Sequence, residues 1–358
     1  MFYLYIFTAT FALSILCTLV IKKLAWRLRI LDEPKGDRKL HAKPTPLLGG
    51  VAIFFAFFVC LFFVRDLLLA GDLEAMHWIG FFAGGLFLMI GGYLDDRHNL
   101  SPGRQLIFPV LAVLSVVIGG VEIEKITNPF GGFFYLDKYQ IQLFTLFGFK
   151  FTFIIISDIV VSVWLLGMMY TTKLLDGVDG LVSGVTGVGA LITFLFTMTT
   201  KYFQPDIGLA ALILSAACFG FLVLNWHPAK IFLGEGGSLF LGFALGVLAI
   251  ISGGKIAITL LIMGIPILDL FWTIFRRLAE GKNPFKISDR KHLHFRLQDI
   301  GLSPRQTSAT YYLFALIFGL SAVFMQSKGK IFALGILVII MLGIIAVFSR
   351  ADRKNKTL

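Results

Sequence analysis

Residues 78–97 read Trp78-Ile79-Gly80-Phe81-Phe82-Ala83-Gly84-Gly85-Leu86-Phe87-Leu88-Met89-Ile90-Gly91-Gly92-Tyr93-Leu94-Asp95-Asp96-Arg97, a long uncharged run that ends on two adjacent carboxylates. A bilayer core about 30 Å thick takes roughly 20 apolar residues per helical span. The run therefore reads as a membrane helix whose last turn carries acid. Ten further apolar runs flank it, centred on residues 2–21, 47–64, 105–121, 152–172, 181–199, 208–224, 239–252, 256–275, 308–325 and 331–348. The eighth of the eleven, 239–252, is short and reads as tilted or partly re-entrant. Composition agrees: of 358 residues 57% are hydrophobic, 15% are charged and 38 are Phe. With a mean hydropathy of +0.86, a soluble fold is excluded. The expected fold is all-α, a polytopic transmembrane bundle of about eleven helices forming one domain over residues 1–358.

Sidedness follows from the basic residues, which are enriched in cytoplasmic loops. The first run lacks a basic leader and a small-residue cleavage site, and Lys22-Lys23 follow it. It reads as a retained span with the N-terminus outside. Alternating from there puts 24 of the 32 basic residues on the inner side, together with the C-terminus, and the remaining 8 are offset by outer acids. Orientation and attraction to anionic headgroups account for part of this asymmetry, and nucleic acid is not an expected partner. The outer segment 122–150 carries Gly131-Gly132 among β-prone runs such as Phe133–Leu136 and Tyr139–Phe144 that follow it, and reads as a small extracellular β-hairpin. Cys17, Cys60 and Cys218 each lie within an apolar run, as small buried hydrophobes do, and offer no disulfide or zinc framework.

The motif-bearing segments fall on the inner face, in loops 22–46, 95–104, 173–180, 225–238 and 276–307. In the first, Lys39, His41 and Lys43 lie among prolines and point at an anion, although a solvated orientation loop has the same composition. Asp95 and Asp96 occupy a helix end, where an acid costs less than the about 2.5–3.5 kcal/mol of a mid-span carboxylate, and such residues are functional candidates by default. Neighbours on a helix diverge by about 100°, so the pair can serve two partners. Lys173-Leu174-Leu175-Asp176-Gly177-Val178-Asp179-Gly180 sets two carboxylates three apart, on one face if helical. That spacing is not an EF-hand, and an ordinary Asp-Gly turn remains the plain alternative. Gly234-Glu235-Gly236-Gly237 reads as a Gly-rich turn feeding a helix that starts at Ser238, with backbone N–H groups suited to phosphate. Tight helix packing explains its glycines equally well, but not Glu235. In the last loop Arg290, His292 and His294 stand among bases, while Asp269 within the ninth span reads as a brace between helices or a partner for a nearby Arg.

Five acids (Asp95, Asp96, Asp176, Asp179 and Glu235) on one face would raise one another's pKa unless a cation intervened. Hard oxygen donors without thiols favour Mg²⁺ or Mn²⁺, usually shared with substrate phosphates. At an effective dielectric of about 20, two unit charges about 4 Å apart repel by about 4 kcal/mol. A metal with an Arg/Lys clamp offsets such a barrier between phosphates.

The ordered motifs Asp-x-Pro, Arg-Lys-x-His, Gly-Gly, Leu-Asp-Asp, Asp-Gly-x-Asp-Gly-Leu, Pro-Ala-Lys-Ile-Phe-Leu-Gly, Gly-Ser-Leu-Phe-Leu-Gly-Phe, Pro-Ile-x-Asp and Asp-Arg-x-His-Leu-His, over roughly residues 30–310, resemble the polyprenyl-phosphate N-acetylhexosamine-1-phosphate transferases. The likeness is greatest to the undecaprenyl-phosphate enzymes that begin O-antigen or teichoic acid synthesis, with phospho-MurNAc-pentapeptide transferase more distant. It implies transfer of a sugar 1-phosphate from a UDP-N-acetylhexosamine, UDP-GlcNAc above all, to undecaprenyl phosphate, with release of UMP and Mg²⁺ or Mn²⁺ as cofactor. It also implies a multi-pass protein of the bacterial cytoplasmic membrane whose active site faces the cytoplasm. Membrane lipids and a second copy of the chain are further expected partners. In that scheme Asp95 is the base or nucleophile, Asp96 and Glu235 hold the metal, and His292 joins the catalytic set. Lys39, His41, Lys43, Lys173, Asp176, Asp179, Gly236, Ser238, Arg290 and His294 bind substrate.

Three departures from the family pattern stand out. Glu235 replaces an Asp, Tyr170 and Lys173 replace two Asn, and Phe295 replaces a third His. The competing class is a transporter or lipid-linked sugar flippase, which would put acids near mid-span. A family member that binds substrate with weak activity is the other alternative. A CDP-alcohol phosphotransferase would need an Asp-Gly-x-x-Ala-Arg run that the chain lacks.

Overall fold

The computed structural model describes residues 1–34, 43–71, 73–128, 131–146, 149–199, 202–253, 255–281 and 291–356. Each of the eleven apolar runs is helical. They correspond to α1 (Phe2–Leu28), α2 (Gly49–Phe63), α4 (Ala75–His98), α5 (Pro102–Ile118), α6 (Ile155–Leu175), α7 (Leu181–Thr197), α8 (Pro205–Asn225), α9 (Gly234–Ile251), the pair α10 (Ile256–Ile262) and α11 (Gly264–Ala279), α13 (Pro304–Phe324) and α14 (Ser327–Lys356). Short helices α3 (Arg65–Leu68) and α12 (Leu293–Asp299) lie between them. Among the described residues seven helices are long and apolar enough to cross a membrane, eight if α10 and α11 count as one. At 15, 17 and 17 residues, α2, α5 and α7 are shorter.

Buried residues run around the whole of α8 and α9, which form the centre of the bundle. The outward faces of α1 and α14 stay apolar and exposed, as do Phe62, Phe63, Phe271 and Phe275 elsewhere. That inversion of a soluble protein's surface is the mark of a lipid-facing belt. Small residues set the central spacing, because tight backbone approach drives helix association in membranes. Gly50 abuts Gly237, and Gly92 abuts Gly236, each leaving no space for a Cβ. These two contacts press α2 and α4 against the first turn of α9. Above them Phe54, Phe57 and Phe81 interlock with Phe240 and Phe243, with ring centroids 5.5–6.2 Å apart. Such pairs contribute about 0.5–1.5 kcal/mol each beyond area burial.

Three expectations change. Run 239–252 is not short: α9 begins at Gly234 and is 18 residues long, because the glycines that read as a loop are its first turn. Run 256–275 is broken, with α10 and α11 meeting at 80°. Pro266 has no N–H to offer Ile262, so α10 ends and α11 starts afresh. The outer segment holds two hairpins rather than one. Strand β3 (Lys125–Thr127) pairs with β4 (Phe133–Tyr135), and β5 (Gln140–Leu146) pairs with β6 (Phe149–Ile154). The second hairpin takes residues 152–154 from the predicted fifth span. At the other end of the bundle, β1 (Leu31–Asp32) and β2 (Thr45–Pro46) form a two-residue ladder at the base of the segment between α1 and α2.

Candidate active site

A cleft of about 710 Å³ opens where α4, α6 and α9 end. Asp95, Asp96, Asp176, Asp179 and Glu235 all line it, joined by Asp32 and Glu33 from the first inner loop. The two aspartates of α4 diverge as helical neighbours must. Asp95 turns toward α5, where its Oδ1 accepts the Leu100 N–H at 2.8 Å and the Gln105 side-chain amide at 3.0 Å. Asp96 turns toward α9 and accepts the Glu235 N–H at 3.2 Å. This carboxylate meets a helix N-terminus, where the macrodipole favours negative charge.

Residues 176–180 form a turn rather than a helix, so the shared face of Asp176 and Asp179 comes from turn geometry. Asp179 is held firmly. Its Oδ2 lies 2.7 Å from the His227 ring Nδ1 and accepts the Ala229 N–H at 3.0 Å. Its backbone carbonyl accepts the Ser308 hydroxyl at 3.0 Å. By contrast, the Asp176 carboxyl has no hydrogen-bond or ion-pair partner among the described residues. It is open to the cleft, yet the walls crowd out bulk water. That desolvation, then the charges of Glu235, Asp96 and Asp179, push it up to about 8.

Lys173, in the last turn of α6, forms an ion pair with Glu235, in the first turn of α9. Its ammonium also donates to Gln105 Oε1 at 3.1 Å and lies 5.7 Å from the Tyr170 ring centroid. Both charges sit at the helix end that suits them. Ser238 lines the cleft but donates to the Glu235 carbonyl at 3.0 Å. Gly236 is not a lining residue: its backbone is spent on the contact with Gly92. The packing account of that glycine run holds for Gly236 and Gly237.

The two histidines stand behind the cleft wall. His292 is buried, with Nδ1 2.9 Å from Asp269 Oδ2, and Asp269 Oδ1 accepts the Leu293 N–H at 3.2 Å. Asp269 thus braces α11 to α12 through a histidine and a backbone amide. His294 is fully buried against Gly177 and parallel to the His292 ring, with centroids 5.7 Å apart. Phe295, beside it, is the residue of that run that lines the cleft. Lys43 is exposed and is not among the lining residues. Lys39, His41 and Arg290 lie outside the described residues. Sequence reasoning missed Gln105, His227 and Asn225, a cleft residue whose side-chain oxygen accepts the Gly180 N–H at 3.1 Å. His227 shares a loop with the Pro-Ala-Lys run, a usable signal, whereas nothing marks Gln105 before the fold brings it to Asp95.

Among the described residues no three His, Cys, Asp or Glu side chains form a ready-made metal cluster. The donor set still fits Mg²⁺ or Mn²⁺, since these cations take one or two carboxylates and complete their shell with water and phosphate oxygens. Asp96 and Asp176 are carboxylates of that kind.

Helix ends that converge on an acidic, oxygen-donor cleft supply the donors that phosphate-group transfer at a membrane surface requires. The signature of "Glycosyl transferase family 4" matches residues 78–253. The chain is 29% identical over 351 residues to a probable undecaprenyl-phosphate N-acetylglucosaminyl 1-phosphate transferase of Bacillus subtilis, covering 96% of this chain and 91% of that one. It is 30% identical over 327 residues to a phospho-N-acetylmuramoyl-pentapeptide-transferase of Borreliella burgdorferi, covering 82% and 86% respectively. It is also 26% identical over 326 residues to an undecaprenyl-phosphate alpha-N-acetylglucosaminyl 1-phosphate transferase of Yersinia pestis, covering 87% and 81%. The chain belongs to glycosyl transferase family 4, and it is an enzyme of the transferase class.

Proposed function

We propose that the protein transfers N-acetylglucosamine 1-phosphate from UDP-GlcNAc to a polyprenyl phosphate, undecaprenyl phosphate in a bacterial cytoplasmic membrane, releasing UMP. The observation that carries the reading is the convergence of acids from the ends of α4, α6 and α9 on one cleft. A transporter would put them near mid-span. The relatives, named for this transfer, support the same chemistry.

In the reaction a lipid phosphate oxygen attacks the sugar-linked phosphorus of UDP-GlcNAc. The bond to the bridging oxygen breaks, and UMP leaves with its electron pair. A divalent cation, when bound, neutralises charge on the diphosphate. Asp96 would hold it, with Asp176 the second carboxylate. Gln105 and the Leu100 amide fix Asp95 through one oxygen and leave the other for the acceptor phosphate. The His227–Asp179 pair fixes the turn that carries Asp176. The basic inner loops orient the cleft toward the cytoplasm in a bundle of eleven spans with the N-terminus outside, where a soluble nucleotide sugar arrives from water and the lipid from the bilayer.

The test is UMP release by purified protein given UDP-GlcNAc, undecaprenyl phosphate and Mg²⁺. Release that needs all three and falls to background in Asp95→Asn is expected. Absence of release with any UDP-N-acetylhexosamine sinks the proposal.

A further inference from the structure

Three of the four residues at which the sequence departs from its family, Tyr170, Lys173 and Glu235, occupy one spot. Lys173 is the one lysine or arginine among the described residues lining a cleft with seven carboxylates. Its ammonium has three donors, and the structure supplies three acceptors: the Glu235 carboxylate, Gln105 Oε1 at 3.1 Å and the face of Tyr170 at 5.7 Å. Gln105 passes the contact on to Asp95 at 3.0 Å. The lysine is therefore fully committed, and both members of its ion pair are largely shielded, with 23% and 17% of their side chains exposed. A buried pair of this kind resists opening, because separating it leaves each charge uncompensated. Asp176, with no partner among the described residues, is in the opposite condition.

From this we infer that Lys173 is a built-in cation that keeps Glu235 out of the metal-binding set, leaving a divalent cation to Asp96 and the Asp176 turn. The inference rests on the proposed function only for the presence of a cation in the cleft. It reassigns Glu235, which sequence resemblance puts on the metal, to a positioning role. Glu235 fixes Lys173, and Lys173 orients Asp95 through Gln105.

Mn²⁺ binding to the full-length, detergent-purified protein tests this without any turnover. Free Mn²⁺ is counted by electron paramagnetic resonance, with and without UMP. The charge-balanced variant with both Lys173→Met and Glu235→Gln is expected to bind Mn²⁺ within about three-fold of wild type, whereas Asp96→Asn loses at least about ten-fold, the scale set by loss of a metal-supporting group. Lys173→Met releases Glu235 to the cleft and binds about ten-fold tighter, since a positive charge beside the site has gone. Combining Lys173→Met with Glu235→Gln abolishes that gain. The double variant also controls for folding, because it carries no unpaired charge.

A ten-fold loss in the charge-balanced double variant overturns the inference, as does an unchanged affinity in Lys173→Met or a wild type that binds no Mn²⁺ under either condition. If Mn²⁺ binds as described while no lipid product forms, the transferase proposal fails and this one stands.

Discussion

The two ends of α9 are both charged, and they use charge in opposite ways. At its N-terminus seven carboxylates face an open cleft with one ammonium among them. Beyond its C-terminus Lys255 and Lys330 turn inward onto the same ring pair. Lys330 lies 4.6 Å from Phe196, and Lys255 lies 5.4 Å from Phe196 and 5.3 Å from Tyr202. Lys255 also donates to Gln204. Cation–π contacts of about 0.5–2 kcal/mol hold that end together. The two lysines beyond the C-terminus are absorbed into packing, whereas the carboxylates at the N-terminus are left open to a ligand. An imbalance the fold does not neutralise is one a substrate or metal must.

The comparison breaks if the cleft acids prove structural. The largest expected effect is in Asp96→Asn, which should lower UMP release by at least about 100-fold, the scale of losing one electrostatic stabiliser of a transition state. Its melting temperature should stay within a few degrees of wild type, and a large drop with preserved activity would reverse the assignment. Next comes Gly92→Val, which forces a side chain onto the Gly236 backbone. Overpacking of this kind costs about 1–3 kcal/mol, read as a lower melting temperature, with activity falling because Asp96 and Glu235 shift with α4 and α9.

The buried Asp269–His292 contact gives a smaller effect. Losing either partner strands the other at about 1–3 kcal/mol, so Asp269→Asn and His292→Ala should destabilise to a similar degree, and the double variant should be less than additive. Additive effects, or a loss of turnover without destabilisation in His292→Ala, would make that histidine catalytic rather than a brace.

The smallest effect separates the two ends by pH. Asp176 is pushed up to about 8. The folded state then holds a proton the unfolded chain gives up, and stability falls as pH rises toward and through about 8. Lys255 is pushed down to about 8 by burial and by neighbouring Lys330, with Asp206 opposing. Its folded state binds fewer protons than the unfolded chain above about 8, so its contribution rises with pH there. Melting curves in EDTA should lose the downward slope in Asp176→Asn and the upward slope in Lys255→Met. Identical pH profiles for wild type and both variants would remove this contrast.

Much of this was legible in the sequence, and the parts that were not share a cause. Apolar runs of sufficient length mark helices whatever their partners, so each of the eleven runs coincides with a helix or a broken helix, although only seven or eight among the described residues are long and apolar enough to cross a membrane. Acids next to a helix end mark the cleft because nothing else offsets their cost there. What escaped depends on contacts made in space. The glycines of 234–238 read as a loop, yet Gly236 and Gly237 begin α9 because Gly92 and Gly50 need their backbones close. The break at Met263 arises from one missing N–H at Pro266. His292 and His294 resemble substrate ligands in sequence, and only the position of α11 reveals that Asp269 claims the first. Gln105 carries no motif, yet it links Lys173 to Asp95.

The most direct test of the acidic cleft as the seat of chemistry is transfer of a labelled β-phosphate. Protein in undecaprenyl-phosphate vesicles is given UDP-GlcNAc carrying the label on the sugar-linked phosphorus, and the lipid phase is extracted. Label entering the lipid together with the sugar, at a rate that collapses in Asp96→Asn, is the predicted result. Label confined to the aqueous phase in the wild type, or entering the lipid equally in Asp96→Asn, would contradict the account.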